Sequence, residues 1–334
     1  MIENNYDIFK YLNKDDNTLL NDMKGHDLID LLTLLDKYKL EYRDNLGLDD
    51  NITFGTEIEF EKANITKIRD MINNENTLNK YRLVTDISLV NGEELVSPIL
   101  HDKINDWDSL KTACNILDKN ATIFKNAGGH IHIGLNALGT NDSSWVNFIK
   151  LWATYENVIY RFAYNNFLEY RDRIWKYAFP MSEKYSKLLR ENKQIDIKLI
   201  LESFNYTRFN AVNIQNVDIN NQEKQKNTIE FRCANGTLDY IIWQNNINLF
   251  TKLLLYSKSN NFNDDIITKR LVSDDNINLG LSFYSEIFLN QALELVDLLF
   301  DNNLDKIYFL RQYLKSFDSS NIPLTKAKTF TMKK

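Results

Sequence analysis

Two glutamates alternate in a segment that otherwise has the composition of a buried strand. The stretch is FGTEIEF, from Phe54 to Phe60, and it carries Glu57 and Glu59. In an extended strand the side chains at positions i and i+2 leave the same face, so both carboxylates point one way while Ile58 points the other. Two like charges on one face repel each other and resist burial unless a cation lies between them. That face is therefore either open to water or holds a positive ligand.

Two further segments show the same alternation. GGHIHIG places His130 and His132 on one face of a predicted strand, and TIEFRC places Glu230 and Arg232 on one face with Phe231 on the other. Carboxylate and imidazole groups are ligands for Mg²⁺ or Mn²⁺, and arginine binds phosphate through two parallel hydrogen bonds. Faces that carry these groups predict divalent metal ions beside a nucleoside triphosphate.

A fourth polar segment is YTRFNAVNI. As a strand it places Arg208 and Asn210 on one face. Asn213 then falls on the opposite face if the strand is regular.

A predicted hairpin supplies more carboxylates. RLVTDISL and EELVSPIL flank Asn91 and Gly92, a dipeptide typical of a two-residue hairpin turn. Such a turn puts Glu93 on the face of Asp86, whereas a longer loop or a bulge puts Glu94 there. The residues alone leave both alternatives open.

The elements that position these residues are predicted from hydrophobic spacing. Leucines at helical spacing follow Asp27, and INDWDSLKTACNILDKNATIF and NDSSWVNFIKLWATYENVIYRFAY each carry one apolar stripe. Helices are also predicted from Asp239 to about Phe317, followed by a basic tail. Because hairpins and helices separate the strands irregularly, the pattern favours an α+β fold with a mixed or antiparallel sheet.

Composition excludes several classes of protein. The chain has 334 residues, of which 43% are hydrophobic, and its net charge of −6 argues against a general nucleic-acid-binding surface. No apolar run long enough for a membrane span and no signal segment are found, so we expect a cytoplasmic protein without membrane contact. Cys114 and Cys233 are predicted to be reduced core thiols.

Each motif also has an ordinary interpretation when it is taken alone. Alternating glutamates occur on solvated sheet faces, paired histidines are often structural, and glutamate beside arginine is common in cross-strand ion pairs. If only these ordinary interpretations applied, each segment would have to carry its own unrelated polar face opposite an apolar face. A shared site explains the set better.

The order of five segments resembles that of a known enzyme family. GTEIEFE, TDISLVNGEELVSP, GGHIHIG, RFNAVN and IEFRCANGTL follow one another between about Phe54 and Leu238. This order resembles the amidoligases, carboxylate–amine ligases related to glutamine synthetase and glutamate–cysteine ligase. The resemblance implies a glutamine-synthetase-like catalytic fold, a mainly antiparallel sheet that forms a concave funnel and is packed with helices. Together with the helical spacing at both ends of the chain, which lies outside the family's motifs, it predicts an N-terminal helical segment (1–50), a catalytic core (51–238) and a C-terminal helical segment on the same domain (239–334).

The resemblance also implies roles for individual residues. The metal ligands would be Glu57, Glu59, Glu94, His130 and Glu230. The groups that hold the nucleotide or substrate would be Arg208, Arg232, His132 and Asn213. Catalysis would rest on the two arginines, with Asp86 as a supporting acid. Glu94 is preferred to Glu93 because the family pattern fixes the glutamate relative to LVSP.

The implied reaction is ATP-dependent amide-bond formation between a carboxylate and an amine through an acyl phosphate, with two or more Mg²⁺ or Mn²⁺ ions. The partners would be ATP and small-molecule or peptide substrates, and an oligomer is compatible with the sequence. In EYRDRIWKYAFPMSEKY, Arg171, Arg173 and Tyr177 either contact the substrate carboxylate or belong to a surface helix. Two alternatives from other classes are a metal-dependent hydrolase and an inactive descendant that binds a nucleotide or a partner.

Overall fold

Six strands form one open antiparallel sheet in the computed structural model, which describes residues 41–124, 126–164, 177–191, 194–221, 226–272 and 286–314. The strands are β1 (Phe54–Phe60), β2 (Arg82–Val84), β3 (Glu93–Val96), β4 (Gly128–Gly134), β5 (Val212–Asn213) and β6 (Thr228–Asn235). Their order across the sheet is β2-β3-β1-β4-β6-β5, and each neighbouring pair is antiparallel. The predicted α+β class with an antiparallel sheet is confirmed.

Nine α-helices accompany the sheet in the described part of the chain. They are α1 (Ile65–Asn74), α2 (Ile104–Asp118), α3 (Asp142–Tyr164), α4 (Ser182–Glu191), α5 (Ile197–Phe204), α6 (Tyr240–Lys258), α7 (Asp264–Leu271), α8 (Glu286–Leu299) and α9 (Asn303–Leu314). The helices predicted around Trp107 and Trp145 are confirmed as α2 and α3. Among the described helices, none has both the length and the apolar character needed to cross a lipid bilayer.

Helices α3 and α6 pack on the apolar face of the sheet. Phe231 of β6 stacks on Phe250 of α6 with ring centroids 4.4 Å apart, and Trp152 of α3 lies 5.6 Å from Phe231. Each of these buried aromatic side chains contributes roughly 1.5–3 kcal/mol of hydrophobic free energy. Cys114 and Cys233 are buried in the same core, and neither forms a disulfide within the part of the chain that the structure describes, as predicted. This packing leaves the opposite face of the strands for polar groups.

The two-residue hairpin turn predicted at Asn91 and Gly92 is wrong. Residues 85–92 form the whole connection between β2 and β3, and Val84 pairs with Glu94. Asn91 has a φ of 50°, and a Cβ atom on Gly92 would lie 1.9 Å from the carbonyl oxygen of Phe60. The dipeptide therefore lets the chain pack closely against the end of β1, and it does not form a tight hairpin turn.

The strand predicted for YTRFNAVNI is also shorter and less regular than expected. Only Val212 and Asn213 form a strand, and Arg208 lies in a turn before it. The Asn210 side chain donates a hydrogen bond to the Phe204 carbonyl oxygen at 2.6 Å. Because the segment is irregular, the faces of its residues do not alternate as a regular strand requires.

Several predicted features lie outside the described residues. They are the helix predicted from Asp27, Arg171 and Arg173, and the basic C-terminal tail. All six described strands fall between residues 51 and 238. The three segment boundaries themselves stay predictions.

Candidate metal centre

Cross-strand pairing brings the candidate residues of five strands together. Glu59 pairs with Glu94, and Glu57 pairs with His130. Further across the sheet, Glu230 pairs with both His132 and Asn213. A cavity of about 600 Å³ lies over this face and is lined by Glu57, Glu59, Asp86, Ile87, Ser88, Glu94, Asn126, His130, Tyr177, Arg208, Phe209 and Arg232. The alternating polar residues of separate strands therefore form a single polar site.

The first group of possible ligands, here called triad A, consists of Glu57, His130 and Glu230. Each offers one ligand atom, and these atoms lie within 4.8 Å of one another. His130 Nδ1 is 2.8 Å from Glu57 Oε2 and 3.7 Å from Glu230 Oε1. Two carboxylate oxygens and an imidazole nitrogen can converge on one divalent ion.

The second group, here called triad B, consists of Glu59, Asp86 and Glu94. One carboxylate oxygen of each residue lies within 4.8 Å of the other two. Among the described residues, no lysine or arginine forms an ion pair with these three carboxylates. Burial and the charges of Glu57, Glu59 and Asp86 raise the pKa of Glu94 to about 8. A cation that binds between the carboxylates would relieve this repulsion.

The donor set fits hard divalent cations. Carboxylate oxygens dominate both triads, as Mg²⁺ and Mn²⁺ prefer. His130 is buried, and its Nε2 atom has no hydrogen-bond partner within the described chain, although Glu59 Oε1 lies 3.5 Å away. A buried polar atom without a partner is unfavourable unless a ligand or water completes it. The residues present are therefore suited to hold metal ions.

The surroundings of triad A lower the pKa values of its two carboxylates. Burial would raise the pKa of Glu57, but hydrogen bonds with His130 and His132 outweigh it and hold the pKa below its ordinary value. Burial also opposes ionisation of Glu230, whereas the charges of His130 and Arg232 lower its pKa. Burial disfavours the charged form of His132, but its hydrogen bond with Glu57 raises the pKa overall. Both carboxylates of triad A are thus held ionised.

The other end of the cavity is basic and aromatic. Arg232 hydrogen-bonds to Glu230 and donates from Nε to the Tyr177 carbonyl oxygen at 3.2 Å. Arg208 lies over the Phe209 ring at 5.2 Å, and the Tyr177 and Phe209 rings meet edge to face at 5.8 Å. Arginines beside the triads could hold the phosphates of a nucleotide.

The structure brings most of the predicted residues to the cavity, but Glu230, His132 and Asn213 are not among the residues that line it. Glu94 lines the cavity, whereas Glu93 forms an ion pair with Arg69 at 3.1 Å. The longer connection between β2 and β3 therefore places Glu94 in triad B. His132 and Asn213 do not line the cavity, and each hydrogen-bonds to a carboxylate of triad A.

Sequence reasoning missed several residues that shape the site. Phe209, Ile87 and Asn126 line the cavity, and the sequence motifs assigned no role to them. Glu61 is fully buried and accepts hydrogen bonds from the backbone amides of Val90 (2.9 Å) and Asn126 (3.2 Å). The alternation of Glu57 and Glu59 continues to Glu61 in GTEIEFE, so its pattern was visible in the sequence.

Glu61 is expected to stabilise both loops that border the cavity. In Glu61→Ala, the amides of Val90 and Asn126 lose a charged acceptor, so we expect the free energy of unfolding to fall by about 2–3 kcal/mol. Urea denaturation measures the change, and Glu202→Ala, at an exposed helical position, is the control. Equal unfolding free energies for Glu61→Ala and the wild type would contradict this role.

Comparison with known proteins gives one family. The model of the family described as "Putative amidoligase enzyme" matches residues 73–254, somewhat more than half of the chain. The matched range includes β2 to β6 and begins after β1, so Glu57 and Glu59 lie outside it. No curated protein matches the chain.

Proposed function

Because this chain belongs to the amidoligase family, we propose that it joins a carboxylate to an amine in an ATP-dependent reaction. The observation that supports this proposal is that five of the six residues of triads A and B line one cavity together with Arg208 and Arg232. A site that binds metal ions and a triphosphate needs carboxylates for the ions close to basic side chains for the phosphates. By the same proposal the sheet and its polar face belong to a glutamine-synthetase-like fold, and the enzyme works in the cytoplasm.

The proposed chemistry has two steps. A carboxylate is a poor electrophile, so one of its oxygens first attacks the γ-phosphorus of ATP, and the bond from that phosphorus to the β-phosphate oxygen breaks to release ADP. The amine nitrogen then attacks the carbonyl carbon of the acyl phosphate, loses a proton to a carboxylate of the cavity, and inorganic phosphate leaves with the bonding electrons. The net products are an amide, ADP and phosphate.

The residues of this chain would divide the work between the two ends of the cavity. Triads A and B would hold two Mg²⁺ or Mn²⁺ ions, which neutralise the charge that develops on the transferring phosphoryl oxygens. Arg232 and Arg208 would orient the phosphates and stabilise the same charge without giving up a proton. Asp86, on the connection between β2 and β3, completes triad B and supports it as an acid.

The cavity also suggests the size of the substrates. Its volume of about 600 Å³ suits a nucleotide and the reacting ends of two substrates. A small-molecule carboxylate and amine, or the end of a peptide, would therefore be the substrate class. The edge-to-face pair of Tyr177 and Phe209 offers an apolar contact at the basic end.

The proposal predicts ADP release that requires Mg²⁺, a carboxylate and an amine together. Pools of amino acids, polyamines and short peptides are incubated with the full-length protein and ATP, and ADP is measured by a coupled assay. An active pool should also lose one carboxylate and one amine substrate and gain a product that is lighter than their sum by one water, as mass spectrometry can detect.

Other outcomes identify the alternatives. Turnover of an amide or ester without ATP would indicate a metal-dependent hydrolase. Nucleotide binding without turnover in any pool would indicate an inactive descendant of the fold. Either result contradicts the ligase proposal.

A further inference from the structure

One oxygen of each carboxylate in triad A is held by a residue that does not line the cavity. His132 Nε2 lies 2.8 Å from Glu57 Oε1, and Asn213 Nδ2 donates to Glu230 Oε2 at 2.6 Å. The other oxygens, Glu57 Oε2 and Glu230 Oε1, are the atoms nearest to His130 Nδ1. The hydrogen bonds of His132 and Asn213 therefore direct one oxygen of each carboxylate toward His130, and on Glu230 that oxygen also accepts a hydrogen bond from Arg232.

The contacts of His132 fix its role as a donor. A carboxylate ion only accepts hydrogen bonds, so the Nε2 atom that faces Glu57 carries a proton. The other ring nitrogen, Nδ1, lies 3.2 Å from Thr228 Oγ1, which can donate to it or accept from it. Only 20% of the His132 side chain is exposed, and none of it lines the cavity. His132 is thus placed to orient Glu57.

The contacts of Asn213 fix its amide in the same way. Its Oδ1 atom accepts a hydrogen bond from the Gln215 amide at 3.0 Å, so the amide nitrogen must face Glu230. Asn213 is buried in β5 directly opposite Glu230 of β6. Its only side-chain donor group therefore points to a carboxylate of triad A, and Asn213 does not line the cavity.

We infer that His132 and Asn213 are positioning residues that orient Glu57 and Glu230 for metal binding, and that they do not contact the nucleotide. This inference rests on the metal-dependent function proposed above. Replacing a residue that orients a metal ligand through a hydrogen bond typically lowers the metal affinity by about 10–100-fold. Replacing a residue that contacts only the nucleotide would instead leave the metal affinity unchanged when it is measured without nucleotide.

Two variants of His132 that differ by one methylene group provide the matched test. In His132→Gln the side-chain amide nitrogen reaches the former position of Nε2, whereas in His132→Asn it reaches only the position of Nδ1. We expect the affinity for Mn²⁺ without nucleotide to fall about 10–100-fold in His132→Asn and in Asn213→Ala, and to stay near the wild-type value in His132→Gln. Titration of the full-length protein, followed by the electron paramagnetic resonance signal of free Mn²⁺, measures this affinity.

A second measurement separates positioning from nucleotide contact. At saturating Mn²⁺, the affinity for a non-hydrolysable ATP analogue should be nearly the same in the wild type and in His132→Asn. Equal Mn²⁺ affinity in these two proteins, with weaker analogue binding in the variant, would overturn the inference and leave the proposed function intact. A wild-type protein that binds no Mn²⁺ would overturn both. Thermal melts check folding, and Asn213→Ala carries the test if His132→Asn does not fold.

Discussion

The variant Glu94→Gln should be more stable than the wild type without metal, yet much less active with metal. Triad B holds three carboxylates, and burial together with the charges of Glu57, Glu59 and Asp86 raises the pKa of Glu94 to about 8. At pH 7 the raised pKa means that folding requires Glu94 to take up a proton that the unfolded chain does not carry. Glutamine removes this cost, so we expect the free energy of unfolding at pH 7 to rise by about 1 kcal/mol in the absence of divalent ions. Urea denaturation in the presence of a chelator measures this gain.

Turnover should change in the opposite direction. An amide is a weaker metal ligand than a carboxylate, and a metal ion stabilises charge in the transition state by several kcal/mol. Since about 1.4 kcal/mol corresponds to a tenfold change in rate, we expect Mg²⁺-dependent ADP release to fall roughly 100–1,000-fold.

The adjacent residue provides the control for both measurements. Glu93 points away from triad B and forms an ion pair with Arg69, whose side chain is 54% exposed. In Glu93→Gln the unfolding free energy should fall by up to about 1 kcal/mol and turnover should stay near the wild-type value. If Glu93→Gln inactivates the enzyme and Glu94→Gln does not, the placement of Glu94 in triad B is wrong.

Much of this site follows from the two-residue period of strands. Because side chains at positions i and i+2 share a face, Glu57 with Glu59 and Glu230 with Arg232 could be assigned to polar faces before any tertiary contact was known. By the same period, the apolar residues between them were predicted to face the core. The sheet then joins these faces, since Glu57 pairs directly with His130.

The features that the sequence did not predict depend on long-range packing. Asn91 and Gly92 are a typical hairpin turn, but Gly92 instead allows a close approach to Phe60, and residues 85–92 bulge toward the cavity. Asn213 hydrogen-bonds to Glu230 although the segment before β5 is irregular, and a strand pattern does not predict this contact. Phe209 reaches the cavity through a turn beside the same segment. Local spacing predicts the faces of regular strands and fails where tertiary contacts interrupt them.

Replacing Arg232 by Met should reduce both stability and turnover. Only 11% of the Arg232 side chain and 6% of the Glu230 side chain are exposed, and the two groups form a buried ion pair. Removing one partner leaves a buried carboxylate without this compensating charge, so the free energy of unfolding without metal should fall by about 3 kcal/mol. Loss of an arginine that stabilises the transferring phosphoryl group should lower ADP release about 1,000-fold or more.

A control at the second arginine separates these two effects. Arg208 lines the same cavity but is exposed and forms no ion pair with any residue that the structure describes. Arg208→Met should therefore slow ADP release with an unfolding free energy close to that of the wild type. If Arg208→Met and Arg232→Met lose the same stability, the buried ion pair does not account for the effect at Arg232.

The double variant Arg232→Met/Glu230→Gln tests whether Glu230 has two competing partners. In the double variant no buried charge at position 230 needs a partner, so the unfolding free energy should regain most of what Arg232→Met loses, while turnover stays low.

A divalent ion in triad A could replace the arginine as the charge that compensates Glu230. Saturating Mn²⁺ should then stabilise Arg232→Met at least as much as the wild type, because a ligand stabilises a protein according to its affinity for the folded state. The double variant should gain less, and an equal gain in all three proteins would mean that Glu230 does not bind the ion.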